Sequence, residues 1–199
     1  MSCDLVWYVS YGSNMNAARL GCYLHGGCPP GARFSYPGAR DHTPPRADAA
    51  VMLPGQLYFA GVSTVWGGGM GFYDPDAEGP TPGRGYLISV EQFADIARQE
   101  MHRRPVAGSA LEAAVRSGVP DGRYTVGPGR YQTLVRVGQR DGVAMLTFTA
   151  PGHLGDADLN QPTPSYLRML AEGLSQAHGW SQQRCQRYFA RCGADALVA

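Results

Sequence analysis

Lysine is missing from this chain: all 17 basic residues are arginine. That excludes an internal Schiff base, a lysine-held pyridoxal cofactor and a standard P-loop, since each needs a primary amine. Charge of either sign is scarce, at 17% of residues, and 17 basic against 16 acidic side chains leave a formal net charge of +1. This balance argues against a nucleic-acid partner and against a membrane-binding basic patch. Long hydrophobic runs are absent too; nothing approaches the roughly 20 apolar residues of a membrane span. The N-terminus shows no charged segment leading into an apolar one, so no signal peptide is expected.

Cysteine is sparse, and its number is odd: Cys3, Cys22, Cys28, Cys185 and Cys192. Without a secretion signal, this points to a reducing, cytoplasmic setting. Cys22 and Cys28 have five residues between them, and Cys185 and Cys192 have six. Neither spacing is that of a zinc knuckle, so no metal site is expected from the cysteines. The thiols read as free and buried. The alternative is a nucleophilic Cys22, which needs His25 or His102 brought to it by the fold.

The chain is rich in turn formers, with 27 glycines and 15 prolines among 199 residues. Apolar residues at 44% and aromatics at 10% still make it globular. Its length fits a single domain, 1–199, by the prior of about 100–200 residues each. Residues 4–10 (DLVWYVS) read as a buried strand, broken by Tyr11-Gly-Ser-Asn14. A short helix over 15–25 follows, then a mixed, proline-rich stretch over 26–49. Its arginines could bind an acidic group or simply face solvent. Strands are expected at 56–60, 85–88, 131–137 and 143–149, with Asp141-Gly142 as a hairpin turn. Residues 66–73 read as a glycine-rich turn beside a strand, 74–83 as a loop, and 103–129 as a surface excursion holding a short helix at 109–117. Thr163 and Pro164 open a helix that Gly179 closes, and Ser181 starts a last one through Tyr188. About six short strands and three helices result, which predicts an α+β fold around a small mixed β-barrel flanked by helices.

The helix over 90–100 is the most informative segment. Ser89 and Gln92 form a capping-box pair. At 100° per residue, Val90, Phe93, Ile96 and Ala97 share one face, while Glu91, Gln92, Asp95, Arg98 and Gln99 share the other, expected to be wet. Glu100 falls in the middle of the apolar face. A carboxylate there is a structural ion pair with an arginine, a helix-end group reaching solvent, or a general acid/base held in an apolar pocket. A second candidate is the turn Tyr11, Gly12, Ser13, Asn14, Met15. It is either an ordinary strand-to-helix turn with Asn14 as cap, or a nest of backbone N–H groups with side-chain donors from Ser13 and Asn14.

Taken together, these residues resemble the γ-glutamylcyclotransferase-like family. The anchors are Tyr11-Gly-Ser-Asn-Met15 after a strand, Trp66 with the pair Gly68-Gly69, Gly85-Tyr-Leu before a helix ending in Glu100, Gly129-Arg-Tyr131 opening a strand, and Pro162-Thr-Pro-Ser-Tyr166 opening a helix. Their order and spacing match over roughly residues 6–190. The chain departs from the family pattern at Ala97, where an aspartate is common, at Met101, where a glycine is common, and at Phe148, where a tyrosine is often found. Residues 103–129 are longer than the usual connection and are expected to be a surface insertion.

The resemblance implies a cofactor-free enzyme that cyclises a small γ-glutamyl amide to 5-oxoproline and releases an amine. Glu100 would carry the protons. Tyr11, Gly12, Ser13, Asn14, Met15, Gly68, Gly69 and Tyr131 would bind substrate. The alternatives are a non-catalytic member of the fold that binds a small ligand, and a related amide hydrolase or transferase.

Overall fold

The computed structural model describes residues 4–29 and 34–194. Cys3, one of the five cysteines weighed above, lies outside them. Eight strands and five α-helices are found among the described residues, so the fold is α+β with more elements than the sequence predicts. The strands are β1 (Leu5–Ser10), β2 (Ala47–Pro54), β3 (Gln56–Ala60), β4 (Met70–Asp74), β5 (Pro80–Ser89), β6 (Gly122–Thr125), β7 (Thr133–Arg140) and β8 (Val143–Thr149). The helices are α1 (Ala17–His25), α2 (Val90–Glu100), α3 (Ala110–Ser117), α4 (Pro164–His178) and α5 (Gln182–Arg191). None of the described helices is long and apolar enough to cross a membrane.

Six strands form one mixed sheet in the order β2-β5-β1-β8-β7-β6, while β3 and β4 form a separate hairpin. The expected barrel is therefore corrected to an open sheet with β2 and β6 at its edges. The hairpin approaches β8 without joining its ladder. Instead, the Thr149 hydroxyl accepts from the Tyr73 N–H at 3.0 Å and donates to the Tyr73 carbonyl at 2.7 Å.

The central strand β1 runs antiparallel to β5 and parallel to β8. Alternation along it feeds two cores. Val6 and Tyr8 face the core built with α1 and α2, while Trp7 and Val9 face the one built with α4 and α5. A strand covered on both faces has no wet side, which is why 5–9 is continuously apolar. The β3–β4 hairpin alternates likewise, with Tyr58 and Phe72 in the first core and Leu57, Phe59 and Tyr73 in the second.

Strand β2 and the first half of β5 escaped the sequence reading for physical reasons. β5 begins at Pro80 in what reads as a loop. Pro80 and Pro82 pair with β2 alone, because the ladder to β1 starts only at Arg84. On that open side a missing N–H costs nothing. β2, low in β-formers, exists by its pairing with β5 and stays mostly exposed. The Asp141-Gly142 turn is as expected, both residues having positive φ, at 51° and 75°.

The excursion over 103–129 is more than a surface feature. Leu111 and Val119 enter the first core, and β6 extends the sheet beside β7. Arg40 ties it down, bonding Asp95 of α2 at 2.9 Å and Glu112 of α3 at 2.8 Å. Arg40 therefore belongs to the fold and is not a free basic group. These bonds also correct the reading of α2. Its expected wet face holds Gln92, Asp95 and Gln99, each buried to 2% exposure or less. Gln92 caps the helix with Ser89 and donates to the Thr43 carbonyl at 2.7 Å. Gln99 accepts from the Gly38 N–H and donates to the Tyr23 carbonyl.

Candidate active site

β1 delivers the chain to the cleft. After Ser10 the backbone turns through Gly12 into a single 3-10 turn, Ser13–Met15. The expected cap is corrected here: Asn16 caps α1, its side chain accepting from the N–H groups of Ala18 and Arg19 at 3.0 and 3.2 Å. Asn14 is thereby freed and points into the cleft. The turn is pinned from behind, where the Tyr86 hydroxyl lies 2.9 Å from the Asn14 carbonyl and 3.1 Å from that of Met15. Its own hydrogen bonds run from Met15 N–H to the Gly12 carbonyl and from Asn16 N–H to the Ser13 carbonyl. The leading N–H groups of such a turn have no partner within it.

Glu100, the last residue of α2, meets this turn across the cleft. Asn14 Nδ2 donates to Glu100 Oε1 at 2.9 Å and to the Tyr8 hydroxyl oxygen at 3.1 Å. The carboxylate fixes the amide's orientation, since the reverse would set oxygen against oxygen. Asn14 Oδ1 is then left buried and without a partner. Of the three readings of Glu100, the structure brings it to the cleft wall, half-buried and in no ion pair shorter than 4 Å among the described residues.

The cleft is partly enclosed and opens to solvent, with a cavity of about 60 Å3. Concave and aromatic-lined, it is a small-molecule type of site. Its floor is aromatic. Tyr8 stacks on Phe148 at 5.2 Å between centroids, and Phe148 touches Phe93 and Tyr131 at 5.6 and 5.7 Å. Phe148 thus packs in the position where a tyrosine was looked for. Burial, with the negative charge of Glu100 adding to it, pushes the hydroxyls of Tyr8, Tyr131 and Tyr166 well above the usual phenol range. They stay protonated and serve as neutral donors.

The sequence-derived site residues separate into two groups. Tyr11, Gly12, Ser13, Asn14, Tyr131 and Glu100 all line the cleft. Tyr11 does so without its hydroxyl, which donates to the Phe148 carbonyl at 2.9 Å. Met15, Gly68 and Gly69 are not among the lining residues. Met15 is fully buried in the second core. Gly68 and Gly69 serve packing: the Gly69 N–H donates to the Gln161 carbonyl at 2.7 Å, and a Cβ on Gly69 would sit 2.1 Å from the Asn160 carbonyl oxygen. They hold the 63–69 turn, with Trp66, against the start of α4.

Sequence reasoning missed Tyr8, Arg19 and Tyr36. The i, i+4 spacing of Arg19 and Tyr23 on α1 was a usable signal, since it stacks the two on one face. Arg19 Nη2 donates to the hydroxyls of Tyr23 and Tyr36 at 2.8 and 2.9 Å. Cys22 is raised in pKa by burial and does not line the cleft, which leaves nothing for the nucleophilic alternative. Among the described residues, one trio could hold a metal ion, Asp74, Asp76 and His153. Asp74 already accepts from Arg123 and from the N–H groups of Asp76 and Leu154, a structural knot apart from the cleft.

No family model matches the chain. Histone deacetylase 5 of Arabidopsis thaliana is 29% identical over 209 residues, covering 92% of this chain and 30% of that protein. The chain therefore spans less than a third of the length of this curated relative. Two solved structures are similar at a TM-score of 0.55. One is the uncharacterized protein loc79017 from Homo sapiens, 15% identical over 94% of this chain and 88% of that one. The other is a gamma-glutamyl cyclotransferase, 16% identical over 94% and 87%. At such identities the likeness is one of fold, and it is the fold that the sequence motifs imply.

Proposed function

We propose that this chain is an enzyme of the γ-glutamyl cyclotransferase type, releasing an amine from a γ-glutamyl amide as 5-oxoproline forms. The observation that carries this reading is the Glu100 carboxylate held at the cleft wall, 2.9 Å from Asn14 Nδ2, opposite the 12–15 turn. The similarity of fold to a gamma-glutamyl cyclotransferase supports it.

Such a substrate carries its own nucleophile. The α-amine attacks the γ-carbonyl carbon, a carbon–nitrogen bond forms, and the five-membered ring closes. Glu100 takes the proton that the amine loses and delivers it to the departing nitrogen as the original amide bond breaks, so one carboxylate serves both transfers. Holding the chain folded for this attack supplies much of the rate, about 7–11 kcal/mol in well-oriented intramolecular reactions. The N–H groups opening the 13–15 turn stabilise the developing oxyanion.

A panel of γ-glutamyl compounds, read by mass for 5-oxoproline, tests the reaction. Acetylating the α-amine removes the nucleophile, so the blocked compounds are expected to stay intact. A second reading rests on Thr64 Oγ1, 2.8 Å from His102 Nε2 at the cleft rim, a pair that could serve hydrolysis or acyl transfer. Release of acetyl-glutamate from the blocked compound establishes that reading and removes the first. Binding of both forms without turnover of either marks a ligand-binding protein instead.

A further inference from the structure

Arg19 is only 2% exposed, yet no carboxylate pairs with it among the described residues. A guanidinium has five N–H bonds. Two sit on Nη2 and go to Tyr23 and Tyr36. The other three, on Nε and Nη1, are buried without an acceptor. Rings of Tyr23, Tyr36 and Trp66 lie 5.0, 4.9 and 5.6 Å from its central carbon. They stabilise the charge through its faces and leave the in-plane donors unmet. Burying a cation this way is costly unless something completes it. The group lines the same cleft as Glu100, where a second orphan, the Asn14 Oδ1 acceptor, is also buried.

We propose that these two unmet groups form the recognition site for the amino-acid end of the substrate: Arg19 binds the α-carboxylate, and Asn14 Oδ1 accepts from the α-amine. The inference rests on the cyclotransferase reading and names what orients the glutamyl group. Glu100 repels a carboxylate and attracts an ammonium, so the polarity of the cleft runs one way, carboxylate to Arg19 and amine to Glu100. That order sets the nucleophile beside its base. Trp66 lies over the guanidinium face and the unmet nitrogens are buried, so the carboxylate reaches them only if side chains lining the cleft move.

The test compares γ-glutamyl anilide with its α-carboxamide, which keeps the amine and loses the anion. The wild-type protein is expected to favour the acid by about 30- to 100-fold in kcat/KM, the usual range for a charge-assisted hydrogen-bonded contact. Arg19→Gln should lose that preference by slowing the acid while leaving the carboxamide within a few-fold. Arg19→Lys should keep part of it. Equal losses on both substrates, or an undiminished preference in Arg19→Gln, overturn the proposal. Binding of both compounds to the Glu100→Gln protein, alone and combined with Arg19→Gln, is measured calorimetrically. It separates this inference from the reaction. If the wild-type protein releases no 5-oxoproline, the cyclotransferase reading fails, and an Arg19-dependent preference for the acid in binding still upholds the anion site. Should Arg19→Gln fail to fold, equal binding of the acid and the carboxamide by folded Arg19→Lys counts against the site, and a retained preference supports it.

Discussion

In the proposed reaction Glu100 moves the protons, and what suits it to that role is where its neighbours stop. Asn14 satisfies one carboxylate oxygen, and no arginine neutralises the group at ion-pair distance among the described residues. Glu100→Gln keeps an oxygen for Asn14 Nδ2 and removes the titratable group. The variant is expected to lose about 10²- to 10⁴-fold in kcat, the usual contribution of a general acid/base. Its thermal midpoint should move little. Retained full turnover in a folded Glu100→Gln protein would take proton transfer away from this residue. At the same scale, position 148 shows how a residue can look like a departure and still fit. Phe148 needs no hydroxyl, since it packs among Tyr8, Phe93 and Tyr131 and its carbonyl holds Tyr11.

Among the elements, the 13–16 turn and α4 are made for each other. Gly173 on α4 faces the turn so closely that an added Cβ would sit 2.7 Å from Met15 Cβ and 2.8 Å from the Asn16 nitrogen. By propensity alone, Gly173→Ala would stabilise the helix by about 1 kcal/mol. Here backbone must shift, and the part that shifts carries Asn14. The expected result is a lower thermal midpoint together with a fall in kcat/KM of about 10-fold or more, as when reacting groups move from their alignment. A more stable, fully active Gly173→Ala protein would show that the contact is slack. α2 illustrates the same dependence on neighbours. Phe93, Ile96 and Ala97 fill the first core as the 100° periodicity predicts, while Asp95 and Gln99 are buried against the 36–40 segment. Periodicity identifies a polar face; it does not say that water covers it.

Across the whole molecule, buried carboxylates tie the layers together and make stability depend on pH. The bonds that Glu112 accepts from Arg40 and Arg116, against an opposing effect of burial, hold its carboxyl below the usual range. Asp74 is lowered in the same way, burial opposing and the Leu154 and Asp76 N–H groups, His153 and Arg123 prevailing. For a group lowered on folding, the unfolded chain takes up protons first. Its stabilisation is full above the unfolded value, about 4 for carboxylates, and is lost as pH falls through the folded one. The thermal midpoint should therefore hold level from neutrality to about pH 5 and drop steeply below about pH 4. Glu112→Gln should flatten part of that drop by lowering the neutral plateau. An unchanged profile in that variant would assign the acid sensitivity elsewhere.

The sequence by itself determined the secondary elements that local rules govern: β1 from its continuous apolar run, α2 from its capping box, the Asp141-Gly142 turn, and α4 between Thr163-Pro164 and Gly179. It also placed Glu100 and the 11–14 turn in one site, because motif order survives where identity is low. Tertiary structure decided what pairing and burial alone can show. Pro80 and Pro82 enter a strand because that stretch lacks its second neighbour, and β2 forms against it. Met15 and the Gly68-Gly69 pair belong to packing although they sit inside recognisable motifs. Arg19 lies near the sequence motif, but its meaning comes from Tyr36, Trp66 and Glu100, up to 81 positions away. Its three unmet donors become visible only when all the neighbours that could satisfy them are in place. Local rules see a residue's own hydrogen bonds and periodicity; an unsatisfied buried charge is a property of everything around it.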